Sequence, residues 1–220
     1  MKAVASGQEG EIHLAYAPSL AFELLPLALR EFQQLLPEFW VALHDAFTEE
    51  MLSGLKSGSF HLAVMPSPRS RAIAGLTFDE LRRYNISVAT HPTHPIAAKR
   101  SVSLRMLVDE RLLEYTHVDY PEYHEWIADL FSALGRRPVV GEEHDSANSL
   151  VAAVETGRGV AIVPEIFSCF AGARLKLPPI RPTPTPIVMG LMLRRSVSIP
   201  PTVSVFMQAE RKVARIQRAR

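Results

Sequence analysis

The first third of the chain alternates between strand-like and helix-like segments, and this repeat constrains the fold more than any other feature. Apolar and polar residues alternate over Glu11–Tyr16, and apolar residues at helical spacing follow over Leu20–Leu36. The unit then repeats, with a strand at Phe39–Leu43, a helix that begins after Thr48 and a strand at Phe60–Val64. This order predicts a mainly parallel sheet that is covered by helices.

The remainder of the chain restarts the same alternation. We predict strands here at Leu112–Tyr115, Pro138–Gly141 and Gly159–Val163, and helices at Glu122–Leu134, Ser146–Thr156 and Ile199–Arg220. Two further strands, Tyr84–Thr90 and Ile187–Leu193, would carry the chain into a second lobe and back. The predicted fold class is therefore α/β, with two Rossmann-like lobes joined by two crossover strands. Residues 10–86 and 193–220 would form lobe I, residues 87–192 lobe II, and residues 1–9 a linker remnant.

Bulk composition excludes several classes of function. The 24 lysines and arginines balance 23 acids, for a net charge of +1, so the chain lacks the concentrated basic surface needed to bind nucleic acid alone. The one cysteine, Cys169, allows no internal disulfide and fits a reducing compartment. The first residues contain no apolar signal-peptide core, and no apolar run approaches the roughly 20 residues that cross a bilayer. We therefore expect a cytoplasmic protein without a membrane partner.

Polar residues near strand-to-helix junctions are the candidate ligand contacts. Ser19 and Thr48 each precede a helix of the first lobe, where free N–H groups and the helix dipole attract anions. Either residue could instead only cap its own helix. In the second lobe, the polar residues of two loops that follow strands are His117, Asp119, Tyr120, Asp145, Ser146 and Asn148. These side chains could orient a ligand in an apolar pocket, or they could be ordinary turn and cap residues.

Signals for a metal site or for catalysis are weak. His91 and His94 have a possible ligand spacing, but two prolines hold them in a turn and no cysteine or carboxylate lies near them in sequence. Ser53 and Lys56 match an S-x-x-K motif, yet they fall in a predicted amphipathic helix and lack the companion motifs. We therefore predict no catalytic residue, no metal ligand and no cofactor.

Three stretches of the sequence resemble the effector-binding domain of LysR-type transcriptional regulators. They are GEIHLAYAPSLAFELLPLALREFQQLLPEFWVALHDAFTEEMLSGLKSGSFHLAV, HPIA after the first crossover strand, and NSLVAAVETGRGVAIVP. One departure is His61, where the family commonly has an aspartate. The resemblance implies a periplasmic-binding-protein type II-like fold with an effector cleft between the lobes. It also implies that the junctions at Ser19 and Thr48, and the strand end at Pro66, face the effector.

The resemblance sets the functional expectation. We expect the effector-sensing domain of a bacterial transcription regulator, which binds a small anionic molecule and is not an enzyme. The domain would form homodimers or tetramers, and it would reach DNA only through an N-terminal winged helix-turn-helix that lies outside this chain. Two alternatives stay open: a solute-binding protein of the same fold, and an enzyme on the two-lobed scaffold. The enzyme would need His117, Asp119 or Asp145 in mutual hydrogen-bond contact.

Overall fold

The chain forms two compact units. The computed structural model describes residues 11–17, 21, 23–68, 73–195 and 198–218. One unit comprises the residues up to Arg82 together with Val188–Arg220, and the other comprises Arg83–Ile187. Both divisions lie a few residues before the predicted limits at 86 and 192. The first unit resumes before residue 193 because the last strand of the chain pairs inside the sheet of this unit and is not merely a connection.

The first unit is built on a five-stranded sheet. Its strands are β1 Glu11–Tyr16, β2 Trp40–Asp45, β3 Leu62–Pro66, β4 Leu76–Tyr84 and β9 Ile187–Arg194, and its helices are α1 Leu25–Leu35, α2 Thr48–Ser57 and α7 Pro201–Arg218. The strand order is β2-β1-β3-β9-β4. Strand β1 runs parallel to β2 and to β3, whereas β9 is antiparallel to β3. The predicted alternation and the parallel pairing are therefore confirmed for the first three strands.

The helices of this unit form where the sequence places apolar residues at helical spacing. Helix α1 buries Phe32, whose ring meets Phe206 of α7 edge to face at a centroid distance of 5.6 Å. Helix α2 buries Met51 and Leu55. Burial of a side chain of this size contributes about 1.5–3 kcal/mol. The helix ends at Gly58, whose φ of 86° is a left-handed conformation that favours glycine.

Apart from its last residue, Tyr84, strand β4 (Leu76–Tyr84) has no counterpart among the predicted elements. Its buried residues do not alternate regularly with polar ones, so the strand signal is absent from the sequence. One of its polar residues is held from a distance, since Arg211 of α7 donates to the Asp79 carboxylate at 2.7 Å. The predicted crossover strand Tyr84–Thr90 is accordingly split: β4 ends at its first residue, and β5 (Ile86–Ala89) belongs to the second unit.

The second unit has two strand pairs and helices on both faces. Besides β5, its elements are β6 Arg111–Tyr115, β7 Val139–His144, β8 Ala161–Pro164, α3 Leu104–Leu107, α4 Pro121–Ser132, α5 Ala147–Glu155, α6 Phe167–Ala171, and the 3-10 turns Pro95–Ala98 and Gly172–Arg174. Strands β6 and β7 are parallel, β5 and β8 are antiparallel, and a parallel bridge between Leu112 and Val160 joins the two pairs. Leu112 packs in a cluster with residues of α4, while Leu113 packs in a cluster with residues of α5. Because neighbouring residues of a strand face opposite ways, these two helices cover opposite faces.

Candidate functional site

Two predicted contacts of the first unit, Thr48 and Pro66, lie at the carboxyl ends of the two strands that flank β1. Strand β1 lies between β2 and β3 and runs parallel to both, so the residue that ends β3 and the residues that follow β2 flank the end of β1. The backbone continues this pairing past the strand, because the Ala17 N–H donates to the Val64 carbonyl at 3.0 Å. The third predicted contact, Ser19, lies outside the described residues.

Thr48 is the first residue of α2, whereas the sequence pattern places it before the helix. The capping position belongs to Phe47, whose extended backbone N–H donates to the Glu50 carboxylate at 3.0 Å. A rule that expects a polar side chain at the cap therefore selects the wrong residue here, because a carboxylate in the first turn satisfies the cap instead. The N–H groups of a first helical turn have no acceptor within the helix and favour negative charge, part of which Glu49 and Glu50 of the same turn already supply.

The six predicted contacts of the second unit fall in two loops that the fold brings together. Strands β6 and β7 pair in parallel with Tyr115 opposite His144, so both loops begin at the same edge of the sheet. The first loop is tied to the end of β7, because the Thr116 N–H donates to the His144 carbonyl at 2.9 Å. The loops also touch each other, since the Tyr120 hydroxyl donates to the Asp145 carbonyl at 3.5 Å. The polar residues that follow β6 and β7 in the sequence therefore lie at one edge of this strand pair.

Within the first loop, the three candidates differ in what their side chains do. Asp119 accepts a hydrogen bond from the Thr116 hydroxyl at 2.5 Å, so its carboxylate holds the loop itself. Tyr120 occupies the capping position of α4, and its ring lies 4.6 Å from that of Tyr115. His117 is exposed, and its ring lies 4.7 Å from that of His124. His117 is therefore the candidate of this loop that is most open to solvent.

Within the second loop, Ser146 caps α5 and Asp145 supports the cap. The Ser146 hydroxyl accepts from the Ser149 N–H at 3.2 Å, and the Ser146 N–H donates to the Ser149 hydroxyl at 3.2 Å. The Asp145 carboxylate accepts from the Ser149 hydroxyl at 2.8 Å, and the hydrogen bonds from Ser149 and then Ser146 lower the pKa of Asp145. Asn148, the second residue of the helix, is exposed. Capping thus occupies two of the three candidates, which is the alternative that the sequence left open.

A buried acid beneath the first loop was missed at the sequence level. Glu114 of β6 is 1% exposed, and burial, with Glu143 as the second cause, raises its pKa to about 7. Its Oε2 lies 3.4 Å from Nδ1 of His124, whose Nε2–H donates to the Tyr115 carbonyl at 2.6 Å. The sequence contained evidence for this buried acid, because Glu114 stands inside the apolar stretch Leu112–Tyr115 that predicts the strand. A carboxylate in a buried strand needs a partner, and the histidine supplies one for Oε2, while Oε1 has no hydrogen-bond partner among the described residues.

The described residues do not assemble a catalytic or metal-binding cluster from the candidates. Asp119 bonds Thr116, Asp145 bonds Ser149, and neither carboxylate bonds His117 in the part of the chain that the structure describes. The same part contains no group of three or more histidine, cysteine or acidic side chains that could hold a metal ion. No described helix is both long enough and apolar enough to span a membrane.

Comparison with known proteins identifies the family. Residues 5–215 match the family described as LysR substrate binding domain. The chain belongs to this family. Among curated relatives, this LysR domain is 27% identical to the HTH-type transcriptional regulator BenM of Acinetobacter baylyi over 158 residues, which are 71% of this chain and 51% of BenM. It is 22% identical to IlvR of Caulobacter vibrioides over 200 residues, covering 88% of this chain and 65% of IlvR. The chain therefore spans between half and two thirds of these regulators, and they are not enzymes.

Solved structures confirm the predicted fold class of this LysR domain. It superposes on the effector binding domain of QuiR in complex with shikimate with a TM-score of 0.82, at 18% identity, covering 94% of this chain and 98% of that one. The BenM effector binding domain with benzoate gives a TM-score of 0.81 at 22% identity, covering 95% and 94%. The fold is thus the two-lobed, periplasmic-binding-protein type II-like α/β fold, as the resemblance implied.

Proposed function

We propose that this chain is the effector-sensing domain of a LysR-type transcriptional regulator and that its effector is a small carboxylate. The observation that carries the proposal is the family match, which covers nearly the whole chain. The relatives are transcriptional regulators, and this counts against the two alternatives, a solute-binding protein and an enzyme. Two similar domains are described with shikimate and with benzoate, which are both small ring carboxylates.

The local chemistry supports a carboxylate ligand. In the first unit, Thr48 begins a ten-residue helix at the carboxyl end of β2, and helix N-termini favour negative charge. In the second unit, Ser146 caps α5 at the carboxyl end of β7. Ligands of open α/β sheets bind beyond the carboxyl ends of strands, and both helix ends meet this condition.

We assign the nine candidate residues two different roles. Ser19, Thr48, Pro66, His117, Tyr120 and Asn148 are proposed to contact the effector. Pro66 has no N–H to donate, so its contact is apolar. The remaining three, Asp119, Asp145 and Ser146, are proposed to position the loops, because their side chains are engaged by Thr116 and Ser149. An ionised Asp145 would also repel a carboxylate at close range.

Calorimetric titration with a carboxylate and its neutral amide tests the ligand class. We expect benzoate or shikimate to bind, and the corresponding amides to bind at least about tenfold more weakly, because a hydrogen bond to a charged group contributes about 1.5–3 kcal/mol. Thr48→Val keeps the side-chain shape and removes the hydroxyl, and we expect it to weaken carboxylate binding by a similar factor.

Thr156→Val is the matched control for this substitution. In the wild type the Thr156 hydroxyl donates to the Ala153 carbonyl. This contact lies at the C-terminal end of α5, whereas Thr48 lies at the N-terminus of α2. We expect unchanged affinity in this variant. Equal affinity in Thr48→Val and wild type would remove Thr48 from the site, and equal binding of acid and amide would overturn the ligand class.

We propose that coupling to transcription also uses a DNA-binding part of a longer regulator. A net charge of +1 does not favour DNA binding by this chain alone, and one structurally similar protein is full-length CbnR complexed with its target DNA, of which this chain covers 71%. We propose that effector binding favours one arrangement of the regulator over another, and that this difference in binding free energy alters DNA binding.

We also propose that the domain forms a homodimer, or a tetramer in the full regulator. Strand β2 is the edge strand of the first sheet, and it exposes 58% of Trp40 and 44% of Leu43. Strand β7 exposes 55% of Val139 and 51% of Val140. Large apolar side chains on an unpaired strand edge are typical of surfaces that another chain covers. A second copy of this chain is the proposed occupant.

Sedimentation velocity of wild type and of Trp40→Glu tests the oligomer. We expect a dimer for the wild type and a shift toward monomer for the variant, because a buried charge without a partner opposes association. Met106→Glu, at an exposed apolar side chain that belongs to neither edge strand, is the control. A monomeric wild type, or a dimeric Trp40→Glu variant, would contradict the assignment of this edge.

A further inference from the structure

A cavity lies in the first unit at the C-terminal end of α2 and the amino end of β3, whereas Thr48 begins α2 and Pro66 ends β3. It measures about 170 Å³ and opens between the end of α2, the start of β3, the end of β9 and the first turn of α7. Ala63 pairs with Met192 in antiparallel register, which places the start of β3 beside the end of β9. The residues that shape it are Phe60, His61, Leu193, Arg194, Ile199 and Val203.

The apolar wall of this cavity is fixed in place by a glycine. A Cβ on Gly54 of α2 would lie 2.3 Å from Cδ2 of Phe60, so the ring can rest on the helix only because position 54 has no side chain. Leu193 and Val203 complete the wall, and both are nearly fully buried. An apolar cavity of about 150 Å³ accommodates benzene, so this one has room for a single six-membered ring.

Arg194 gives the cavity a permanent positive charge. Its Nη2 lies 3.3 Å from the position that a Cβ on Gly58 would take, so the guanidinium rests against the end of α2. Within the described part of the chain, Arg194 forms no ion pair with a carboxylate, in contrast to Arg211, which binds Asp79. A guanidinium beside an apolar wall suits the recognition of a carboxylate.

His61 adds a second hydrogen-bond donor. Its Nδ1 accepts from the His13 N–H at 2.9 Å, which assigns the proton of the neutral ring to Nε2. Burial, followed by the charges of His13 and Arg194, lowers the pKa of His61, so the ring is neutral at neutral pH. The Nε2–H of a neutral His61 can donate a hydrogen bond to a ligand but cannot accept one. This again matches a carboxylate, which only accepts.

We propose that this cavity is a second small-molecule site, which binds a monocarboxylate with an apolar body of about one six-membered ring. The body lies against Phe60 and Val203, and the carboxylate accepts from Arg194 and from His61 Nε2. The site does not depend on the proposed effector site, because all of its residues belong to the first unit and none of them is a proposed effector contact.

Amide chemical shifts of the ¹⁵N-labelled protein test the site with benzoate as the probe. We expect the amide signals of Gly58, Phe60 and Val203 to shift saturably at up to millimolar benzoate, and benzamide to bind the same position about tenfold more weakly. Arg194→Gln should weaken benzoate binding at these signals about tenfold. Arg195→Gln is the matched control, because this neighbour instead bonds Thr77, and it should leave the affinity unchanged.

Two further variants separate this site from the proposed effector site and from loss of fold. Thr48→Val should leave the benzoate-induced shifts of Gly58 and Val203 intact, even where it weakens effector binding. Ile199→Trp places a large side chain at an exposed residue of the cavity mouth and should block both benzoate and benzamide. An absence of saturable shifts at these amides, equal binding of acid and amide, or unchanged binding in Arg194→Gln would overturn the proposal.

Discussion

Replacing Glu210 with glutamine is expected to stabilise the protein at neutral pH and to leave its stability unchanged in mild acid. Glu210 lies in α7 and is fully buried. Neither of its carboxylate oxygens has a hydrogen-bond partner among the described residues. Burial without a partner raises the pKa of this carboxyl from 4.5 to about 8. A protonated acid in an apolar site is the form that the fold tolerates.

The magnitude follows from the difference in pKa between the folded and unfolded states. Below pH 4.5 both states hold the proton, so Glu210 makes no pH-dependent contribution. As the pH rises, the unfolded chain releases the proton first, and each pH unit then costs about 1.4 kcal/mol of stability until the folded carboxyl also ionises near pH 8. At pH 7 the cumulative loss is about 3 kcal/mol. An amide does not ionise, so Glu210→Gln escapes this loss.

Urea unfolding followed by circular dichroism, at several pH values between about 5 and 8, measures this difference. We expect the stability of Glu210→Gln minus that of wild type to grow steadily with pH. Glu38→Gln is the control, because it makes the same chemical change at an exposed carboxyl and should give no such trend. The reasoning is refuted if Glu210→Gln tracks the wild type at every pH, which would mean that the ionised carboxylate has a partner in the folded protein.

Three further predictions concern single positions. Ser146→Ala removes the cap of α5 and should lower the free energy of unfolding by about 1 kcal/mol in the same urea assay. Gly190→Ala should destabilise more than Gly157→Ala in a thermal melt: its Cβ would lie 2.2 Å from the Asp79 carbonyl oxygen, whereas Gly157, with a φ of 73°, has nothing within 4 Å of its Cβ. Glu114→Gln should flatten the pH dependence of stability between pH 4.5 and about 7, because burial raises the pKa of this carboxyl to about 7 and wild-type stability falls as the pH rises through that range.

The parts of the fold that could be predicted are those in which burial follows a local period. Strand β1 matches its predicted limits, and α2 lies where apolar residues recur at helical spacing. Strand β4 could not be predicted, because its residues are satisfied by distant elements. Asp79 is bonded by Arg211, and Gly190 of β9 packs against the Asp79 carbonyl, so the evidence for this strand lies more than 100 positions away in the chain.

The two candidate loops of the second unit could be predicted from the sequence, but the role of each residue in them could not. Polar residues after β6 and β7 had to meet, because parallel neighbours end at one edge. Which side chains form hydrogen bonds within the loops depends on local geometry that the spacing of residues in the sequence does not reveal. Asp119 turns to Thr116 and Asp145 to Ser149, while Asn148 stays exposed. Capping residues and ligand contacts share the same chemistry, so only the bonds themselves separate them.

The two buried acids show why burial alone does not define the role of a residue. Glu210 has no hydrogen-bond partner among the described residues, so replacing it removes the free-energy cost of burying its carboxylate and breaks no described hydrogen bond. Glu114 faces His124, and because His124 Nε2 donates to the Tyr115 carbonyl, Nδ1 is left to share one proton with the acid. This contact ties α4 to β6 beneath the loop that holds His117 and Tyr120. A substitution of Glu114 therefore acts on the loop as well as on stability, and of the two acids only Glu114 is expected to change ligand affinity when it is replaced.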